Sequence, residues 1–204
     1  NGNYALRHTS PGVDAGLRLA VAGTTDLLGA ARSQGTAIDI GAYEFDAPDP
    51  TPTPEISGTA QAVGDLRWRS ESNGWGPAEV DMSNGERPAG DGQLMRIGSS
   101  QFDKGIGTHA PSRIVIDLPE GCTTFLADVG LDEEVGDQGT VTFEVVGDGK
   151  LLATSGLLFA TDDPVPLMAD VTGVNQLELV VTPGGDGNAF DHADWGDARL
   201  DCAA

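Results

Sequence analysis

The side chains able to do chemistry fall into four clusters between residues 66 and 200. The first is Leu66-Arg67-Trp68-Arg69-Ser70-Glu71-Ser72-Asn73-Gly74-Trp75-Gly76-Pro77, followed by Val80-Asp81-Met82-Ser83. The second is Phe102-Asp103-Lys104-Gly105-Ile106-Gly107-Thr108-His109-Ala110-Pro111-Ser112, and the third is Val129-Gly130-Leu131-Asp132-Glu133-Glu134. The fourth runs Asp191-His192-Ala193-Asp194-Trp195-Gly196-Asp197-Ala198-Arg199-Leu200. Indoles beside carboxylates, amides and imidazoles suit a pyranose, which offers an apolar ring face for stacking and a ring of hydroxyls for hydrogen bonding. Trp75 lies between glycines, where a loop can expose an indole, and Asn73 is two residues away. Trp68 lies in an alternating segment and reads as core. His109 follows Gly105 and Gly107, which suggest a tight turn or a close backbone approach. Its imidazole reads equally as a hydroxyl ligand or as a structural group bonded to Asp191 or Asp194. His192 and Asp194 share strand parity with Ala198, Leu200 and Cys202, so Trp195 should face the other way unless a bulge intervenes.

Other chemistries are less well served. Asp81, Asp132 and Asp194 lie in turn regions and offer hard oxygens for calcium, which takes six to eight such ligands. No stretch matches an EF-hand loop, and two distant cysteines with three scattered histidines give no zinc spacing. Neither a Gly-x-Ser-x-Gly elbow nor a phosphate loop occurs, and a His192–Asp194 hydrolytic pair lacks a third partner.

The elements that must position these clusters read as β-strands. Ile114, Ile116 and Leu118 share one face; so do Phe125, Ala127, Val129 and Leu131. Val141, Phe143 and Val145 alternate with Thr142 and Glu144, Gly147-Asp148-Gly149 reads as a hairpin turn into Lys150, and Leu177, Leu179 and Val181 form a late strand. Period-2 alternation punctuated by turn residues predicts an all-β antiparallel sandwich over residues 56–204.

Taken in order, the four clusters with their intervening strands resemble the NPCBM family of carbohydrate-binding modules, which is grouped with the family-51 modules. The residues carrying the resemblance are Gly74-Trp75-Gly76, Lys104-Gly105-Ile106-Gly107-Thr108-His109-Ala110, Val129-Gly130-Leu131-Asp132 and Asp191-His192-Ala193-Asp194-Trp195, and it spans about 58–202. It implies a jelly-roll-like β-sandwich, appended to a secreted glycoside hydrolase or similar protein, with galactose-type sugars as ligands and in some members a bound calcium. For such a ligand, residue type and loop placement give Trp75, Asn73, His109, Asp191 and His192 as the sugar contacts. Metal contacts would come from Asp81, Asp132 and Asp194.

Asp46-Ala47-Pro48-Asp49-Pro50-Thr51-Pro52-Thr53-Pro54-Glu55 alternates proline in a way that excludes helix and sheet ladders and favours an extended spacer, so 47–55 reads as a linker. Upstream, Ser10-Pro11-Gly12-Val13-Asp14-Ala15-Gly16, Thr25-Asp26-Leu27-Leu28-Gly29 and Ala37-Ile38-Asp39-Ile40-Gly41-Ala42-Tyr43-Glu44-Phe45 resemble the closing coils of a right-handed parallel β-helix. Solenoid coils bury their apolar face only against neighbours, so 1–46 calls for a protein partner or self-assembly to cover it. Two further readings follow: a structural or adhesive module of an extracellular surface or filament, and part of a polysaccharide-degrading enzyme whose catalytic coils lie elsewhere.

Composition narrows the partners. The 204 residues carry 32 Asp and Glu against 11 Lys and Arg, a formal net charge of -21. Binding nucleic acid needs a basic surface to replace counterions, so it is excluded as a partner, and no apolar run is long enough for a helical membrane span. Two cysteines, Cys122 in a turn-like stretch and Cys202 near the end, predict a disulfide and a secreted, extracellular protein.

Overall fold

The structure, a computed structural model, describes residues 59–85 and 88–203. All of them belong to the second of the two units into which the chain divides, Ile56–Ala204. The expected β-helix coils over 1–46 and the linker over 47–55 lie outside the described residues.

Two antiparallel sheets form the predicted sandwich. One contains β1 (Thr59–Ala62), β3 (Glu79–Val80), β6 (Gly105–His109), β8 (Cys122–Leu131), β11 (Val165–Asp170) and β13 (His192–Cys202), in the order β11-β8-β13-β6-β3 with β1 also paired to β13. The other contains β2 (Trp68–Ser72), β7 (Ser112–Asp117), β9 (Thr140–Gly147), β10 (Lys150–Phe159) and β12 (Gln176–Pro183), ordered β10-β9-β12-β7-β2. A short hairpin of β4 (Met95–Ile97) and β5 (Ser100–Phe102) stands apart. Among the described residues helix is limited to the two 3-10 turns Val63–Asp65 and Glu133–Val135.

The alternation read from the sequence sets the core. Phe125, Ala127, Val129 and Leu131 of one sheet are buried in one cluster with Ile114, Ile116, Val141, Phe143, Val145, Leu177, Leu179 and Val181 of the other. Each such aliphatic or aromatic side chain contributes roughly 1.5–3 kcal/mol when fully buried. Leu118, expected on the same face, is only half-buried at the end of its strand. The β9–β10 turn carries positive φ at both Asp148 (48°) and Gly149 (78°), the two-residue geometry whose twist matches antiparallel strands. Trp68 packs at the margin of the core, with its indole nitrogen donating to Val63 O at 3.2 Å.

Trp195 is fully buried and meets Phe125 edge-on at 6.0 Å and Phe143 at 4.9 Å, so one indole joins both sheets. It shares the core with Ala198, Leu200 and Cys202, which simple alternation places on the opposite face. A bulge between Gly196 and Arg199, with Asp197 at φ 49°, reverses the parity of β13. Before the bulge, Asp194 points to the outer face. The β4–β5 hairpin, which carries the buried cluster Met95, Ile97 and Phe102, covers that face. Ile97 lies against Gly130 and the Phe102 ring against Gly196, at positions where a Cβ would collide. Cys122 and Cys202 are disulfide-bonded, tying the start of β8 to the end of β13.

Candidate functional site

One end of the sandwich gathers the loop after β2, the end of β6, the segment following β8 and the residues leading into β13. Gly74, Trp75, His109, Asn188, Ala189, Phe190 and His192 line a cavity of about 540 Å³ there. Trp75 is 47% exposed, as its glycine-flanked position predicts, and its ring lies 6.4 Å from that of His109. His109 in turn meets His192 edge-on at 5.1 Å, because the two residues are cross-strand partners on β6 and β13.

Asn73 does not line the cavity. Its Nδ2 donates to Trp75 O at 2.9 Å and to Asn84 Oδ1 at 2.6 Å, and its Oδ1 accepts from His109 N at 2.8 Å. The amide thereby folds the loop around Trp75, and its hydrogen-bonding capacity is used in doing so. Asn84, which the sequence reading missed, adds a second bond to Trp75 O at 3.1 Å. Gly74 completes the anchor: its N–H donates to His109 O at 2.9 Å, and a Cβ there would come within 2.3 Å of Ala110 O.

His109 Nδ1 is 2.8 Å from Ala110 O, so the expected carboxylate partner is replaced by a backbone carbonyl. A carbonyl only accepts, so Nδ1 carries the hydrogen and Nε2 is left as an acceptor. Burial lowers the imidazole's pKa, against the Ala110 hydrogen bond, which raises it, and His192 adds to the lowering, a net shift that favours the neutral ring. His192 Nδ1 lies 2.7 Å from Glu134 Oε1. That pair, rather than His192 with Asp194, is the contact the fold makes.

Asp191 is fully buried and does not line the cavity, so the sugar contact expected of it is replaced by a positioning role. Its Oδ1 accepts from Thr140 N at 3.0 Å, and its backbone oxygen accepts from Ala110 N at 3.0 Å. It therefore fastens β9, the end of β6 and the start of β13 to one another. Desolvation pushes its pKa up to about 6, against the Thr140 hydrogen bond, which lowers it.

The three carboxylates considered for calcium differ in their hydrogen-bond partners. Asp81 accepts from Lys104 Nζ at 2.7 Å and from Gly105 N at 3.2 Å. Asp132 accepts from Arg96 N and Glu134 N, each at 2.9 Å, and so caps the turn Glu133–Val135. Asp194 is wholly buried, and neither of its oxygens receives an N–H or O–H. Burial raises its pKa well above the usual carboxylate range, and the nearby carboxylates of Asp132 and Glu134 raise it further, so the protonated form is favoured. Among the described residues no group of three His, Cys, Asp or Glu side chains is placed to hold a metal.

Comparison with known proteins agrees with this architecture. The chain is 34% identical over 141 residues to an endo-alpha-N-acetylgalactosaminidase-type protein of Renibacterium salmoninarum, and 31% identical over 109 residues to alpha-1,3-galactosidase B of Akkermansia muciniphila. The matches take in 69% and 50% of this chain but span only 9% and 13% of those relatives. Among solved structures, the CBM51 of Clostridium perfringens GH95 in complex with methyl-galactose is 36% identical, with a TM-score of 0.63 over 70% of this chain and 99% of that one. The CBM51-2 and INT domains of Clostridium perfringens ZmpB, in complex with GlcNAc, are 30% identical, with a TM-score of 0.63 over 70% of this chain and 31% of that one. Residues 59–201 match the NPCBM/NEW2 domain, and the chain belongs to that family.

Proposed function

We propose that residues 56–204 form a non-catalytic module that holds the terminal galactose-type residue of a glycan and so targets or anchors a larger extracellular protein. The observation that carries this reading is the half-exposed Trp75, fixed by Asn73, Gly74 and Asn84 at the mouth of a cavity that His109 and His192 also line. An indole stacks on the apolar face of the sugar, and the neutral His109 accepts a hydroxyl through Nε2. Methyl-galactose bound to the similar CBM51 supports the choice of sugar, and the disulfide supports an oxidising, extracellular setting. One sugar buries little area, so affinity should lie near millimolar to high micromolar, roughly -4 to -6 kcal/mol. Calorimetric titration with methyl galactoside tests it. Trp75→Ala should lose detectable binding, a change of about 1–3 kcal/mol, while Tm moves by less than about 2 °C. Undiminished binding by Trp75→Ala would overturn the proposed site.

A second reading, assembly through protein contacts, is favoured by the outer strands. β10 and β11 each end a sheet, and they leave Leu151, Leu157, Phe159 and Met168 between 45% and 50% exposed.

A further inference from the structure

A second cavity of about 720 Å³ opens beside the first, and Phe190 and His192 line both. Gln93, Gln138, Glu134 and Asp91 contribute its polar wall. Phe190 lies where the two cavities share their lining. It is 47% exposed and has φ 68°, a left-handed backbone that a bulky side chain rarely adopts. Such a conformation persists only where the surroundings hold it. Here Asp191 is held through Thr140 N and Ala110 N, and Asp132 N donates to His192 O at 3.0 Å. Gly139 lies so close to Phe190 O that a Cβ would come within 2.3 Å of it, and Gln138, the residue before it, lines the same cavity as Phe190. The fold thus leaves an apolar ring exposed where the Trp75 cavity meets the more polar second one, although burying it would favour stability.

We propose that the second cavity is a subsite for the sugar next to the terminal residue, stacked on Phe190 and hydrogen-bonded by the amides of Gln93 and Gln138. This rests on the reading of the Trp75 cavity as the terminal-sugar pocket. The carboxylate of Glu134 in its wall makes the subsite favour a neutral sugar, because a sulfate or carboxylate on the ligand would meet like charge. The module then reads a linkage as well as a terminal residue, since only some linkages carry a chain past Phe190 from one hollow to the other.

Calorimetry on the full chain tests this with methyl galactoside as the one-sugar probe and a panel of galactosyl disaccharides of differing linkage as the two-sugar probes. At least one disaccharide should bind about tenfold or more tightly than methyl galactoside. The double variant Gln93→Ala/Gln138→Ala should lose that gain and keep its affinity for methyl galactoside, which also shows that it is folded. Sulfation of the second sugar should abolish the gain. The subsite is overturned if no disaccharide exceeds methyl galactoside, if the double variant keeps the gain, or if the sulfated ligand binds as tightly as the neutral one. Loss of all binding in Trp75→Ala, with the linkage preference absent from the parent, would sink the subsite and leave the terminal-sugar pocket standing. Absence of methyl galactoside binding in the parent removes both.

Discussion

At the scale of single residues, the site is built by groups that do not themselves face the cavity. Asn73 and Asp191 resemble ligand contacts by residue type, yet one is saturated by backbone partners and the other is fully buried. Burial also makes two carboxyls sensitive to pH. Asp191 has its pKa raised to about 6 and Asp194 has its raised well above 3.8, in both cases chiefly by desolvation. The folded protein therefore holds these protons more tightly than the unfolded chain does. Their stabilising contribution is complete below about pH 3.8 and is lost as pH rises, for Asp191 through about 6. Asp194→Asn stays uncharged at every pH, so it removes this titration. Thermal melts should show Tm of this variant, relative to wild type, higher at pH 8 than at pH 5. Parallel Tm–pH curves for the two proteins would refute the raised pKa of Asp194.

At the scale of elements, β13 decides the arrangement. Its bulge lets Ala193 and Trp195, then Ala198, Leu200 and Cys202, all reach the core, while the stretch before the bulge sends Asp194 to the covered outer face. The same strand presents His192 beside His109 and ends in the disulfide. The bond closes a loop with a sequence separation of 80, which in the chain-entropy model stabilises by about 4.5 kcal/mol. Reduction should lower Tm by about 10–15 °C, at the roughly 2–4 °C per kcal/mol expected for a domain of this size. A melt unchanged by reductant, with thiol alkylation confirming reduction, would show that strand pairing alone fixes β8 to β13. The short β4–β5 hairpin has a comparable local role: without Ile97 and Phe102 laid over Gly130 and Gly196, Asp194 would be wet.

At the scale of the whole molecule, the surface is strongly acidic, with a formal net charge of -21. Such charge opposes close approach of copies at low ionic strength and favours solubility. Self-association through the outer strands β10 and β11 would have to overcome it. If the exposed Leu157 and Phe159 mediate assembly, sedimentation should show the mass rising with protein concentration and with salt, and Leu157→Asp/Phe159→Asp should remain monomeric. A parent that stays monomeric at all concentrations and salt levels would eliminate that reading.

The sequence by itself determined the strands, the hairpin at Gly147-Asp148-Gly149, the pairing of the two cysteines and the exposure of Trp75, because each follows from local rules: alternation, turn chemistry, cysteine number and a glycine-flanked indole. Tertiary structure alone decided which polar residues reach the cavity. Phe190 and Gln138 are distant in sequence from Trp75, and only the packing of Gly139 and Asp191 brings Phe190 to the rim of its cavity and Gln138 to the cavity beside it. The fate of Asp194 was likewise settled by a hairpin laid over its face, and that of Trp195 by one extra residue in a strand. Period-2 patterning assigns a side chain to a face. It cannot register a bulge that exchanges the faces, or say whether a face is open to water or covered by another element.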